Sequence, residues 1–173
     1  MKLACLHFDL SGGPEDVNIP KLCAGIELAV KRGASWIVTP EMAVQGYFFT
    51  QLGRPYVIYQ QPGIQTAPFQ QLAQKYGVTI FLGCAEHDAV KKKDYNACIV
   101  IDKSGELIGS HRKLRTVHSK TEGWSSPGEN LTPVTIDGVK TGLLVCADAW
   151  FSEHSRRLGE LGAEAIVVVA AWP

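Results

Sequence analysis

The stretch Leu131–Trp150, LTPVTIDGVKTGLLVCADAW, carries the reading on which the fold depends. Two apolar runs flank Asp137-Gly138, a strong hairpin turn, so the stretch predicts two antiparallel strands. SEHSRRLGELGAE (152–164) follows as a helix, with Ser152 as N-cap. AIVVVAAWP (165–173) then reads as a fully buried strand. Working outward toward the N-terminus, KLACLHFDL reads as a first strand and SGGPEDVN as turn chemistry. From Pro20 to Arg32 the residues Leu22, Ile26, Ala29 and Val30 recur at helical spacing. Pro20 suits the first turn and Gly33 the stop. ASWIVTPE is a short strand ended by Pro40, and APFQQLAQKYG is a second helix closed by Gly77. VTIFLGCAEH, YNACIVID and ELIGSHRK are successive strands, the last two joined by the turn DKSGE. Helices alternate with apolar strands, and hairpins interrupt the alternation. That pattern implies an α/β layered domain with a mixed sheet. No repeat, linker or low-complexity segment divides residues 1–173, which read as a single domain.

Composition narrows the function classes. Lysine plus arginine balances aspartate plus glutamate at 17 each, so the chain has no electrostatic footprint for nucleic acid. The run Lys91-Lys92-Lys93, flanked by Asp88 and Asp94, reads as a solvated loop. No apolar segment approaches the length needed to span a bilayer, and no apolar region precedes Cys5 as a lipidation signal would require. The five cysteines, Cys5, Cys23, Cys84, Cys98 and Cys146, form no CxxC pair and have no histidine at ligand spacing. Reduced thiols in a cytoplasmic protein are therefore expected, with no metal site.

Four of these cysteines lie inside apolar-periodic segments. Cys146 stands where the apolar run GLLVC stops, and this is where a reactive thiol is expected. The helix start at Ser152 would favour thiolate over thiol through its dipole. A catalytic cysteine still benefits from a base. Glu41 follows the strand SWIVT and Pro40, Lys113 ends ELIGSHRK, and Glu122 lies beside Trp124 in the irregular stretch 114–130. Each alone reads as an ordinary surface residue. His111, His118 or His154 would be the base in a Cys-His hydrolase.

Taken together, VTPEMAVQGY, YNACIVIDKSGELIGSHRK, EGWSSPG, GLLVCAD and RRLGELGAEAIVV resemble, in that order, the nitrilase (carbon–nitrogen hydrolase) superfamily. The resemblance implies a four-layer α-β-β-α sandwich and a hydrolase of small amides, N-carbamoyl compounds or nitriles. It implies a Glu41–Lys113–Cys146 triad: Glu41 as general base, Cys146 as nucleophile, and Lys113 with the Ala147 backbone N–H as stabilisers of the developing anion. Glu122 matches a second glutamate that positions substrate and lysine. No metal or organic cofactor is implied, and a homodimer or larger homo-oligomer is. Tyr47, Trp124 and Trp172 would line the pocket, and Asp148 would serve structural hydrogen bonding. Two departures stand out. Ala147 replaces the aromatic residue that many members carry after the nucleophile. The family domain also continues past the strand at which this chain stops, Trp172-Pro173, so the domain is expected to be C-terminally incomplete. An inert binding or assembly module on the same fold is the competing reading.

Overall fold

A computed structural model describes residues 1–117 and 120–171. Its larger sheet has five strands in the order β1 (Leu3–Cys5), β2 (Trp36–Val38), β3 (Thr79–Asp88), β4 (Lys93–Ile101) and β5 (Leu107–Arg112). The first three run parallel, and β3, β4 and β5 pair antiparallel. The smaller sheet joins β6 (Val134–Ile136), β7 (Val139–Val145) and β8 (Ala165–Val169). Here β6 and β7 form the expected hairpin, and β8 lies parallel to β7. Asp137 and Gly138 both take positive φ, 49° and 83°, as a tight two-residue hairpin turn demands. Both sheets are thus mixed, as the alternation of helices and hairpins predicts.

Strand periodicity builds the layers. On β3, Ile80 and Leu82 point to one face, where α1 (Glu15–Lys31) and α2 (Ala67–Tyr76) bring Leu22, Ile26, Phe69 and Ala73. Phe81, one residue out of phase, points to the other face. There it joins Trp36 and Val100 in packing against Leu143, Val145, Val167 and Val169 of the smaller sheet. Trp36 Nε1 also donates to Asp137 Oδ2 at 3.0 Å, fastening the hairpin turn to the larger sheet. The outer face of the smaller sheet is covered by α3 (Ser152–Glu160), whose Leu158 sits directly over Gly142. A Cβ at Gly142 would lie 2.7 Å from the leucine side chain, so helix and strand approach this closely only over glycine. Helix, sheet, sheet and helix make the four-layer α-β-β-α sandwich.

Several boundaries differ from expectation. Helix α1 starts at Glu15, five residues before Pro20, which lies inside it. Pro14 occupies the cap position, and Glu15 and Asp16 place negative charge in the first turn, where the helix dipole favours it. Asn18 then ties that turn down, its buried amide donating to Leu10 O at 2.9 Å. Strand β1 keeps only three of its nine predicted residues. Ser152 is the first residue of α3, not its cap; Phe151 holds the cap position, without a side-chain hydrogen bond. Strand β8 is not fully buried: Val167 and Val169 face the core while Ile166 is exposed, because β8 is the edge of its sheet. Lys91 lies in the exposed turn between β3 and β4, paired with Glu129 at 2.8 Å. Among the described residues no helix is long and apolar enough to cross a membrane.

Candidate active site

Three strand ends deliver the side chains singled out in the sequence. Glu41 lies just past β2, Lys113 directly after β5, and Cys146 directly after β7. The chain turns toward Glu41 across Gly83 of β3. A Cβ there would collide with the Pro40 carbonyl and lie 2.9 Å from Glu41 Cα, so only glycine admits this path. Cys146 has φ 48°, a left-handed conformation that costs a non-glycine residue about 1–3 kcal/mol. Such strain persists where the surroundings over-determine it, and here Asp148 supplies the ties. Its Oδ2 accepts from Val145 N at 3.2 Å and faces His111 Nε2 at 2.9 Å. Its Oδ1 accepts from Leu114 N at 3.0 Å and Arg115 N at 2.8 Å. One buried carboxylate therefore binds the backbone before Cys146 to the backbone after Lys113. Burial works against its charge, but His111 and the N–H groups of Arg115 and Val145 hold it below the usual carboxylate range.

The charges meet beneath the cleft floor. Lys113 Nζ lies 2.9 Å from Glu41 Oε1 and 2.8 Å from Glu122 Oε1, with the lysine wholly buried. Asn96 Nδ2 donates to the same two oxygens, at 2.8 Å and 3.0 Å. Glu41 Oε2 accepts from Ala171 N at 3.2 Å, and Glu122 Oε2 accepts from Val117 N at 2.8 Å. Glu41 and Cys146 line the same cleft, close enough that the carboxylate acts on the thiol. Above them opens a cleft of 610 Å³ lined by Glu41, Cys146, Tyr47, Phe8, Phe48 and Val117, among others.

Electrostatics set the resting protonation. Burial pushes the Cys146 thiol up to about 11, Glu41 adds to the rise, and Lys113 opposes it. The expected thiolate bias from the start of α3 is thus overridden, and the resting sulfur carries its proton. Burial also works against the Lys113 ammonium, yet Glu41 and Glu122 outweigh it and hold its pKa above the usual lysine range. Tyr47 is raised to about 12 by burial and by the same two carboxylates, so its hydroxyl is a neutral donor on the cleft wall.

The other sequence-derived positions separate. Ala147 is buried in the 3₁₀ turn Cys146–Trp150, immediately after the cysteine. Among the described residues the cleft wall includes Tyr47 but not Trp124. Trp124 instead stacks edge-on against Phe49 at 5.1 Å, in a small cluster with Met42 and Ala85. Trp172 lies outside the described residues, as does His118. His111 Nε2 faces Asp148 Oδ2 at 2.9 Å, and His154 Nδ1 lies 2.9 Å from the Asp148 carbonyl, so one ring nitrogen of each is taken up by Asp148. Asn96 was not singled out. Its signal is a polar residue inside the apolar strand YNACIVID, a place where an amide needs partners.

Comparison with known proteins identifies the family. The sequence profile of the family described as Carbon-nitrogen hydrolase matches residues 15–173. The 2-oxoglutaramate amidase of Bacillus subtilis is 31% identical over 175 residues, spanning 99% of this chain and 65% of the amidase. Nit3 of Saccharomyces cerevisiae, a nitrilase-superfamily member of known structure, superposes with a TM-score of 0.81 at 26% identity, over 95% of this chain and 62% of Nit3. An amidase from Nesterenkonia sp. superposes with a TM-score of 0.83 over 99% of this chain and 65% of its own, and at 21% identity that likeness bears on fold alone. The chain thus spans just under two thirds of the length of these relatives. With residues 15–173 matched and the sandwich shared, the chain belongs to the carbon–nitrogen hydrolase family of the nitrilase superfamily.

Proposed function

We propose that the protein hydrolyses a small non-peptide amide through a thioester on Cys146. The observation that carries this reading is the meeting of an acid, an ammonium and a thiol from three separate strand ends around one cleft. A thiol held near 11 does not ionise unaided at neutral pH, so attack requires a base, and Glu41 is the carboxylate that shares the cleft with it and acts on it. Glu41 takes the thiol proton as sulfur bonds to the amide carbon. The C–N bond then breaks, and Glu41 passes the proton to the departing ammonia or amine. Water enters next and gives its proton to Glu41 as its oxygen bonds to the thioester carbon. The C–S bond breaks, the acid leaves, and the sulfur recovers the proton.

Negative charge develops on the substrate oxygen in both steps. Lys113 supplies a fixed positive charge and the Ala147 N–H a second donor, each of a kind whose removal costs roughly 3 kcal/mol. Glu122 pairs with Lys113 at 2.8 Å and holds the ammonium in place. No metal or organic cofactor enters these steps. The amide assignment is supported by the Bacillus amidase, a relative matched over nearly the whole chain. Nitriles and N-carbamoyl compounds are the alternatives on the same groups.

Product release across a panel of aliphatic amides, ω-amides, carbamoyl compounds and nitriles tests the reading. Ammonia should be released from at least one amide, and Cys146→Ala should abolish it. Turnover that survives Cys146→Ala would overturn the proposal.

A further inference from the structure

We infer that Asn96 is a positioning residue for this chemistry, setting how tightly the Glu41–Glu122 pair holds a proton; the inference rests on the general-base role proposed for Glu41. The two carboxylates point one oxygen each at a common centre. Two donors, Lys113 Nζ and Asn96 Nδ2, each bridge both oxygens and close a four-membered ring of contacts at 2.8 to 3.0 Å. One ammonium balances one carboxylate. The second negative charge is held in the protein interior by Asn96, whose amide offers exactly two N–H groups, one for each oxygen. Facing two carboxylates, the amide must present nitrogen, since its oxygen would meet only acceptors there.

Asn96 also grips Lys113 at its other end. The Asn96 carbonyl accepts from Lys113 N at 2.8 Å, so one residue fixes the lysine backbone and the partners of its ammonium. Its Oδ1 is buried and has no hydrogen-bond partner among the described residues. An asparagine serving packing alone would not retain that orphaned acceptor in an apolar strand, where an aliphatic side chain fits better. The residue is kept for its two N–H groups.

Among the described residues, the titratable groups around Glu41 include Lys113, Glu122, Tyr47 and Cys146. The tyrosine and the thiol ionise only near 12 and 11, and Lys113 higher than an ordinary lysine. In the proposed mechanism an acid limb in the reactivity of Cys146 reports protonation of its base, Glu41. Carboxylates that lose donors bind protons more tightly.

The test is the pH profile of Cys146 alkylation by iodoacetamide in the full chain, in Asn96→Ala and in the isosteric Asn96→Asp. The limb should move up by about one pH unit, tenfold in proton affinity, in Asn96→Ala, and at least as far in Asn96→Asp. Partial misfolding lowers the amplitude and leaves the limb where it is, so a purely structural role is told apart. A wild-type limb that neither variant moves overturns the role of Asn96 alone. A wild-type profile with no acid limb overturns the general-base reading beneath it.

Discussion

Glu41 lies against Gly83, with its Cα 2.9 Å from where a Cβ on that glycine would stand. The obstruction is backbone, which cannot swing aside as a flexible side chain would. Gly83→Ala must therefore push the Pro40–Met42 segment off β3 and move Glu41 away from the sulfur. A displacement of about 1 Å at a reacting group costs on the order of a hundredfold in rate. Amide turnover should fall by that order while thermal stability drops by about 1–3 kcal/mol. Steady-state kinetics with a melting curve check both, and unchanged turnover would contradict the placement.

The Cys146 thiol is held up to about 11 by burial and by Glu41. Glu41→Gln removes the proposed base and also one of the two influences, burial and the Glu41 charge, that raise the thiol. Two opposite effects follow. Turnover at pH 7 should fall by about 10²–10⁴-fold, the usual contribution of a general base. Alkylation should lose its acid limb and instead climb in the alkaline range, with a midpoint below about 11. Peptide mass spectrometry after timed exposure to iodoacetamide reads the profile; superimposable wild-type and variant curves would contradict the assignment.

Lys113 is wholly buried between two carboxylates. Lys113→Met leaves both without their counter-ion, a loss that typically costs about 3–5 kcal/mol. Removing one carboxylate as well, in Lys113→Met/Glu122→Gln, should return part of that stability and none of the activity. Denaturant unfolding of the single and double variants measures the difference. Equal stability of the two would contradict the buried pairing.

Asp148 has its pKa lowered in the folded state. A depressed carboxylate stabilises the fold above its unfolded pKa, and that contribution is lost as pH falls through the folded value. The stability of the wild type should therefore decline on acidification below about pH 4, the ordinary aspartate range. Asp148→Asn should be less stable at pH 7 and should show a smaller decline. Parallel urea titrations at pH 7 and pH 3 check this; identical pH dependence in the two proteins would contradict it.

Much of this arrangement was readable from the chain because strands announce their own ends. Pro40 stops the run before Glu41, the Lys113 position closes an apolar hairpin, and Cys146 ends GLLVC. Those three ends converge because the strands belong to two sheets packed face to face; the alternation implies a layered α/β domain, and the two-sheet sandwich is what the family resemblance implies. Partnership is readable only through the family resemblance, not from local pattern. Glu122 reaches Lys113 from an irregular loop without period, and nothing local indicates where such a loop folds back. Asn96 hides in a strand whose burial pattern it does not disturb. The rise of the thiol is not legible for a related reason: a helix start is visible in sequence, whereas burial and a distant carboxylate arise only in the fold. Trp124 was likewise drawn into an aromatic cluster with Phe49 that spans some seventy-five intervening positions.

The central claim is that Cys146 carries the acyl group of an amide during turnover. Acid-quenching the protein within the first turnover on a hydrolysed amide, followed by peptide mass spectrometry, tests it most directly. The account predicts an acyl mass on the Cys146 peptide that disappears once substrate is exhausted. Turnover with the Cys146 peptide unmodified at every time point, or with the acyl group on another cysteine, would contradict it.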